Sequence, residues 1–406
     1  MQYIRGMNHL IALDMYVTAG VGVLALILGL FFTRVIPPLK RFCIPAPVSG
    51  GILLSLLTLL LHWVLRVDFS FDGTIKEICM MLFFTSVGFQ SDMKVLRKGG
   101  RPLVVMIILV LVLIVLQNLL SVGIARAMGL GPLLGMATGS IPMSGGHGTA
   151  GGFSPVLLEK GLAGADSITL AAATFGLVAG SLIGGPLGES LIRRFSLSSE
   201  SGGEDVFQEI EPTKTDDSMP KRRYTLAACQ LILAMALGMG LYKLLLLTGI
   251  TFPTYFGALL VGVLIRNVFP HKSGKPDPVC QSEITSIGNI CLSLFLGMAM
   301  STLKLWELAG LMLPLLVILL AQALLIVLYG YFVAFRALGK DYDGAVLVSG
   351  LCGFGLGATP NAMANMSAIC YKYHYSVKPF IIVPIIGAMF VDIINTGVIT
   401  LFLNLI

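Results

Sequence analysis

Long apolar stretches dominate the chain, and their spacing predicts the main elements. A helix that spans a membrane needs about 20 mainly apolar residues. Stretches of that kind fall near 15–33, 47–65, 77–92, 103–125 and 167–191 in the first half. In the second half they fall near 224–247, 251–266, 284–303, 311–335 and 379–404. The stretches at 77–92 and 251–266 are short, as for tilted crossings or crossings bounded differently. Residues 196–223 break the pattern with Glu200, Glu204, Asp205, Glu209, Glu211, Lys214, Asp216 and Asp217, punctuated by Pro212 and Pro220. They form a solvated linker rather than a domain. Residues 1–14 carry Arg5, His9 and Asp14 and no cleavable signal, so 15–33 is expected to be the first crossing.

Two apolar regions do not fit a straight crossing. Residues 127–158 carry no charge, but they hold Gly129, Gly131, Gly135, Gly139, Gly145, Gly146, Gly148, Gly151 and Gly152. Residues 344–371 are likewise uncharged, and Gly350, Gly353, Gly355 and Gly357 precede Thr359-Pro360. Glycine and proline interrupt the helical ladder. Interrupted backbone survives at membrane depth only when protein buries it or when it lines a cavity. Both regions are therefore expected to be re-entrant hairpins.

Composition agrees with the pattern. Of 406 residues, 56% are hydrophobic and 12% charged, and the mean hydropathy is +0.90. A soluble domain carries about 25% charged residues, so this chain lacks the polar surface of a globular body. Disordered, fibrous and nucleic-acid-binding classes are excluded on the same grounds. The net charge of +6 reports orientation instead. With ten crossings and the N-terminus outside, twenty of the 27 Lys and Arg residues fall on the inner side. This places the linker inside and both termini outside. The seven cysteines form no CxxC pair and no metal spacing, and they are expected to be small buried hydrophobes.

The halves resemble each other at an offset of 208–212 residues. Ile44-Pro45 matches Phe252-Pro253, Ile78-Cys79 matches Ile290-Cys291, and Ser91 with Lys94 and Gly100 matches Ser301 with Lys304 and Gly310. Arg126-Ala127 matches Arg336-Ala337 just before each hairpin. Five crossings per half turn the second half upside down. The fold class expected is thus an all-α polytopic membrane protein with two inverted-topology repeats of five transmembrane helices, each with a re-entrant hairpin. The repeats are 1–195 and 224–406. Secondary transporters bind substrate at the midplane of such repeats, where broken segments meet.

The first hairpin contains Gly139-Ser-Ile-Pro-Met-Ser-Gly-Gly-His-Gly-Thr-Ala-Gly-Gly152. The second contains Gly353-Phe-Gly-Leu-Gly-Ala-Thr-Pro-Asn-Ala-Met-Ala-Asn-Met366. A helix restarting after glycines presents free N–H groups and the positive end of its dipole to an anion. Thr149 or Ser144 would cap the first half-helix, and Thr359 with Pro360 would start the second. Two opposed N-termini suit a dianion, or one carboxylate each. His147 lies in the first glycine loop, either binding substrate or holding the loop. Asp392 sits deep in the last crossing, where an ionisable group is a functional candidate by default. Asn395, three residues on, shares its face. Gln117, Asn118 and Gln322 are mid-crossing amides, expected to make interhelical hydrogen bonds. Ser144 and His147 do not make a hydrolase, because no G-x-S-x-G elbow or orienting acid accompanies them. With no nucleotide-binding loop, transport must draw on an ion gradient, and no enzyme activity is expected.

The runs Gly139–Thr149 and Cys352–Met366 are similar to those of the bacterial sodium/glutamate symporter family. So are Ala171-Ala-Ala-Thr-Phe-Gly-Leu-Val178 to Gly184-Gly-Pro-Leu187, Asn289-Ile-Cys-Leu-Ser-Leu-Phe-Leu296 and Lys304-Leu-Trp-Glu-Leu308. The resemblance covers the chain apart from the linker. It implies Na⁺-coupled uptake of L-glutamate across the bacterial inner membrane, two re-entrant loops, and a homodimer with elevator-type movement. The termini would then be periplasmic and the linker cytoplasmic. On this reading Ser144, Gly145, Gly146, His147, Thr149, Thr359, Asn361 and Asp392 are the candidate substrate residues. Ser144, Asn361, Asn365, Asp392 and Asn395 are the candidate oxygen donors for sodium. Asp392 would balance either the substrate ammonium or a sodium ion. Symport of another di- or tricarboxylate is the nearest alternative, and an ion channel a more distant one.

Overall fold

The computed structural model of the chain describes residues 9–42, 44–91, 100–197, 220–269 and 279–406. Of the linker, 198–219 lie outside the described residues, as do Lys94, Arg97, Lys98, Lys272, Lys275 and Cys43 from the sequence argument. The first half contains α1 (Met15–Val35), α2 (Pro37–Arg41), α3 (Ala46–Val64), α4 (Thr74–Gln90) and α5 (Gly100–Ala127). It continues with α6 (Pro132–Ala137), α7 (Gly146–Glu159) and α8 (Ala165–Arg194). The second half contains α9 (Pro220–Leu246), α10 (Tyr255–Val268), α11 (Gln281–Ser301), α12 (Met312–Tyr329), α13 (Tyr342–Leu356) and α14 (Thr359–Lys372). It closes with α15 (Val377–Ile385) and α16 (Val391–Leu405). Seven described helices are long and apolar enough to cross a membrane: α1, α3, α5, α8, α9, α11, and α12 extended to Ala337.

The boundaries follow local chemistry. Asp14 accepts the Val17 N–H at 2.8 Å and starts α1. Asp341 accepts the Gly344 N–H at 2.7 Å and starts α13. Helix α9 begins at Pro220, inside the segment expected to be linker. Helix α10 begins at Tyr255 rather than 251, because Pro253 suits a helix start and not its interior. The expected last crossing, 379–404, is α15 and α16 joined by a π-helical turn, Ile386–Phe390. A second π turn, Gly330–Ala334, carries α12 on to Ala337.

The helical expectation gains one small addition. His9–Leu13 (β1) and Val67–Phe71 (β2) pair as a parallel two-stranded sheet. Val67-Asp68-Phe69-Ser70-Phe71 alternates apolar and polar positions, which is a strand signal on too short a stretch to stand out beside the helices.

The helices sort into two bundles. Helices α1, α3, α4, α9, α10 and α11 pack chiefly against one another. Here glycine lets backbones touch: a Cβ on Gly29 would lie 1.7 Å from the Ala46 carbonyl oxygen, and one on Gly88 would lie 2.2 Å from that of Leu259. Helices α5 to α8 and α12 to α16 form the second bundle, in which α8 lies against α7, α13 and α14. Buried polar side chains concentrate there, among them Gln117, Asn118, Ser140, Gln322, Asn361 and Asn395, all with no exposed surface. Both segments expected to be hairpins lie in this bundle, each as two helices with a break between them.

Candidate functional site

The first break spans the turns between Ala137 and Gly146. Helix α7 restarts at Gly146, whose φ of +58° favours glycine. Thr149 is not its cap: it lies one turn inside, and its N–H bonds the Gly145 carbonyl at 3.3 Å. Gly145 holds the cap position with no side-chain hydrogen bond. The amides of Gly146, His147 and Gly148 therefore precede the first intrahelical bond. The second break is shorter. Helix α13 ends at Leu356, Ala358 is extended, and α14 starts at Thr359 with Pro360 in its first turn. Pro360 has no N–H, and the Asn361 amide bonds the Ala358 carbonyl at 3.0 Å. Thr359 is left as the first-turn amide without an intrahelical acceptor.

The breaks meet each other. A Cβ on Gly146 would stand 2.9 Å from the Gly357 carbonyl oxygen. Around this contact lies a cavity of about 270 Å³. Ser144, Gly145, Gly146, His147, Thr359 and Asp392 line it on the broken-helix side. Pro45, Phe83, Gln90, Asn289 and Leu292 line it from the other bundle. Among the described residues, His147 and Asp392 are the ionisable side chains in its wall. Gln90 and Asn289 are the polar lining residues that sequence reasoning did not single out. Their signal was an amide inside an otherwise apolar stretch.

The remaining candidates lie behind the wall. Asn361 donates to the Leu177 carbonyl at 2.8 Å, and Asn365 donates to that of Gly180 at 2.9 Å. Asn395 donates to the Ser140 carbonyl at 3.0 Å. The three amides tie α14 to α8 and α16 to the first break, and none lines the cavity. The side-chain carbonyl oxygens of Asn361 and Asn395 are buried without a hydrogen bond. Thr149 is fully buried beside Asp392, without a hydrogen bond of good geometry. Ser144 reaches the cavity, but its hydroxyl donates to Gln117 Oε1 at 2.7 Å. His147 Nε2 lies 3.1 Å from the Thr174 hydroxyl, so the ring is both held and exposed to the cavity.

The breaks are held by amides on neighbouring helices. Gln117 Nε2 donates to the Gly355 carbonyl at 2.7 Å, and Gln322 Nε2 donates to the Gln117 carbonyl at 2.8 Å. Asn118 Oδ1 accepts the Ser140 N–H at 2.9 Å. The bonds to the Gly355 carbonyl and the Ser140 N–H satisfy backbone groups at the breaks, and Gln322 braces Gln117 from α12. The assembled cavity combines amides suited to an anion with one carboxylate suited to a cation. Among the described residues no group of three or more His, Cys, Asp or Glu side chains is placed to hold a metal ion.

A family model described as sodium/glutamate symporter matches residues 11–375. The chain is 40% identical over 399 residues to the sodium/glutamate symporter of Escherichia coli (strain K12), spanning 97% of this chain and 98% of that protein. It is 40% identical, over the same lengths, to the one from Shigella flexneri. It is 37% identical over 391 residues to the one from Haemophilus influenzae, spanning 94% and 95% of the two chains.

Proposed function

We proceed from the fact that this chain belongs to the sodium/glutamate symporter family, and propose that the cavity between the two helix breaks is where its substrates bind. The protein is a bacterial membrane transporter, not an enzyme, and it couples Na⁺ to glutamate symport. The observation that carries the site is the meeting of two broken helices, at Gly146 and Gly357, in a cavity that also holds Asp392. Glutamate brings two carboxylates and an ammonium. The amides of Gly146 to Gly148 offer three donors and a helix dipole to one carboxylate. The Thr359 end and the His147 ring face the same space and serve the other. Asp392 supplies negative charge for Na⁺ or for the ammonium. Sodium is the reading we favour, because substrate and Asp392 together bring net negative charge that a co-transported cation offsets.

The larger architecture supports this reading. Ten crossings and two re-entrant hairpins, arranged as the inverted repeats 1–195 and 224–406, account for the pairing of equivalent positions. A Cβ on Gly29 would crowd Ala46, and one on Gly238 would crowd Ala258, at the same point of each half. Cys79 and Cys291, equivalent under the offset, lie beside each other. In this scheme the bundle of broken helices is the moving element of an elevator. The bundle of α1, α3, α4, α9, α10 and α11 is the framework, joined to that of a second copy in a homodimer. The termini face the periplasm and the linker the cytoplasm across the inner membrane.

Uptake of radiolabelled L-glutamate into proteoliposomes tests the function. Accumulation against a gradient is expected only with an inward Na⁺ gradient, and competition should be strong from glutamate and weak from citrate or succinate. Asp392→Asn then tests the site. A large rise in the sodium needed for half-maximal uptake is expected. Unchanged sodium dependence, with weaker glutamate binding and relatively better binding of analogues lacking the amine, would assign Asp392 to the ammonium instead.

A further inference from the structure

Tyr255 opens α10, in the bundle opposite the broken helices. Its ring is fixed from two sides. It stacks on Phe84 of α4, with centroids 3.7 Å apart and 11° between planes. It meets Phe153 of α7 edge-on at 6.1 Å and 90°. Gly152 makes room for it, because a Cβ there would come within 2.5 Å of the Tyr255 ring. The side chain has no exposed surface. A tyrosine buried this completely ordinarily finds a hydrogen-bond partner. Here the hydroxyl meets hydrogen-bond geometry with none.

Two more hydroxyls share that condition in the same place. Thr396 lies one turn after Asp392 on the same face of α16, and Thr149 lies three residues before Gly152 on α7. Both are 0% exposed, and neither hydroxyl meets hydrogen-bond geometry with a neighbour. The Tyr255 hydroxyl lies beside Thr396 and near Asp392, and the Thr149 hydroxyl lies beside Asp392. Three buried hydroxyls thus gather near the carboxylate at the cavity wall, Thr149 beside Asp392 itself and Tyr255 beside Thr396 one turn along α16. Buried polar groups left without partners call for an occupant. Hard cations bind oxygen ligands. One carboxylate with three neutral hydroxyls balances a single positive charge, which suits a monovalent ion.

We propose that Asp392, Thr149, Thr396 and Tyr255 form a Na⁺ site shared between the two bundles, with Tyr255 contributed by the framework. The proposal rests on the sodium reading of Asp392 and adds to it the remaining side-chain ligands and where they come from. Its consequence is mechanical. Thr149, Thr396 and Asp392 belong to the bundle with the broken helices, and Tyr255 does not. The site is complete only while α7 and α16 lie against α10. Displacement of one bundle past the other removes a ligand and weakens the hold on the ion. Sodium then binds well in one position of the bundles and leaves in the other.

The test uses the full-length protein in proteoliposomes and titrates Na⁺ against glutamate uptake. Tyr255→Phe keeps the ring and removes only the oxygen. It is expected to raise the half-maximal sodium concentration about tenfold, equivalent to about 1.4 kcal/mol. Glutamate affinity at saturating sodium should stay within about twofold. Thr396→Val should do the same, whereas Thr396→Ser, which keeps the hydroxyl, should not. Binding of radiolabelled sodium to purified protein without glutamate should fall in parallel. If Tyr255→Phe does not accumulate in the membrane, the Thr396 pair carries the same readout. Normal sodium dependence in Tyr255→Phe and Thr396→Val, with Asp392→Asn impaired, overturns the shared site but leaves the reading of Asp392. Normal sodium dependence in Asp392→Asn as well removes both.

Discussion

The two helix breaks reach the same cavity by different chemistry. The first is long, and side chains from elsewhere support its turns: Asn118 accepts the Ser140 N–H, and Asn395 donates to the Ser140 carbonyl. It delivers the amides of Gly146, His147 and Gly148. The second is two residues wide and anchors itself outward, through Asn361 and Asn365 on the carbonyls of Leu177 and Gly180. It delivers one first-turn amide, that of Thr359, because proline occupies the next position. The first break is therefore the stronger anion end, and the second is the more rigidly tied to α8. Two breaks of similar outline thus divide the work between them.

The sharpest way to break this comparison is to place a side chain where the breaks touch. Gly146→Val forces a β-branched residue into positive φ and against the Gly357 carbonyl, 2.9 Å from the new Cβ. Glutamate uptake is expected to fall to background, while membrane insertion stays normal. Gly355→Val should be milder. Its Cβ meets only the methyl ends of Ile326 at 2.8 Å and Leu113 at 2.9 Å, which can move. Equal loss of uptake in the two variants would mean that the breaks are equivalent after all.

A smaller effect is expected from the link between the breaks. Gln117→Leu removes the donor to the Gly355 carbonyl and the acceptor of the Ser144 hydroxyl. Leaving buried partners unsatisfied costs about 1–3 kcal/mol. The variant should unfold at lower temperature in detergent, and Gln117→Glu, which keeps an acceptor for Ser144, should recover part of the loss. Thermal stability unchanged by Gln117→Leu would show the two breaks to be held independently.

The smallest effects separate the two modes of support. Asn365→Ala should cost about 1 kcal/mol, one ordinary buried hydrogen bond, and appear as reduced stability with sodium and glutamate half-saturation nearly normal. Asn395→Ala loses a bond of similar strength, but at the turn that carries the anion end. Its glutamate half-saturation should rise several-fold. The reverse pattern would exchange the roles assigned to the breaks.

Both breaks were legible in the sequence, because glycine and proline inside charge-free apolar stretches leave few other structures open. Asp392 was legible for a similar reason: an acid among apolar residues is rare enough to point to itself. The positions of Asn361, Asn365 and Asn395 were not. Sequence shows that an asparagine can donate, but not which backbone carbonyls packing brings within its reach: those of Leu177 and Gly180 on the unbroken α8, and that of Ser140 in the first break. The three side-chain NH2 groups are taken by backbone carbonyls, which holds the amides behind the cavity wall, while the side-chain oxygens of Asn361 and Asn395 keep no hydrogen bond. Tyr255 was hidden for the opposite reason. An aromatic residue opening an apolar helix looks like packing, and only its unbonded hydroxyl beside Thr396 and Asp392 separates it from the rest of the core.

The π turn at Ile386–Phe390 preserves the phase of everything after it. An α-helix advances about 100° per residue, and a π turn holds roughly one residue more than the α turn it replaces. The turn absorbs that extra residue within a single revolution, so α16 keeps the facing that a regular turn would have given it. A residue gained or lost in regular winding would instead turn all that follows by about 100°, and Asp392 would leave the cavity wall. The π turn is thus the place where the last crossing can carry one residue more without re-aiming its carboxylate, and Gly387, which lines the cavity, sits inside it.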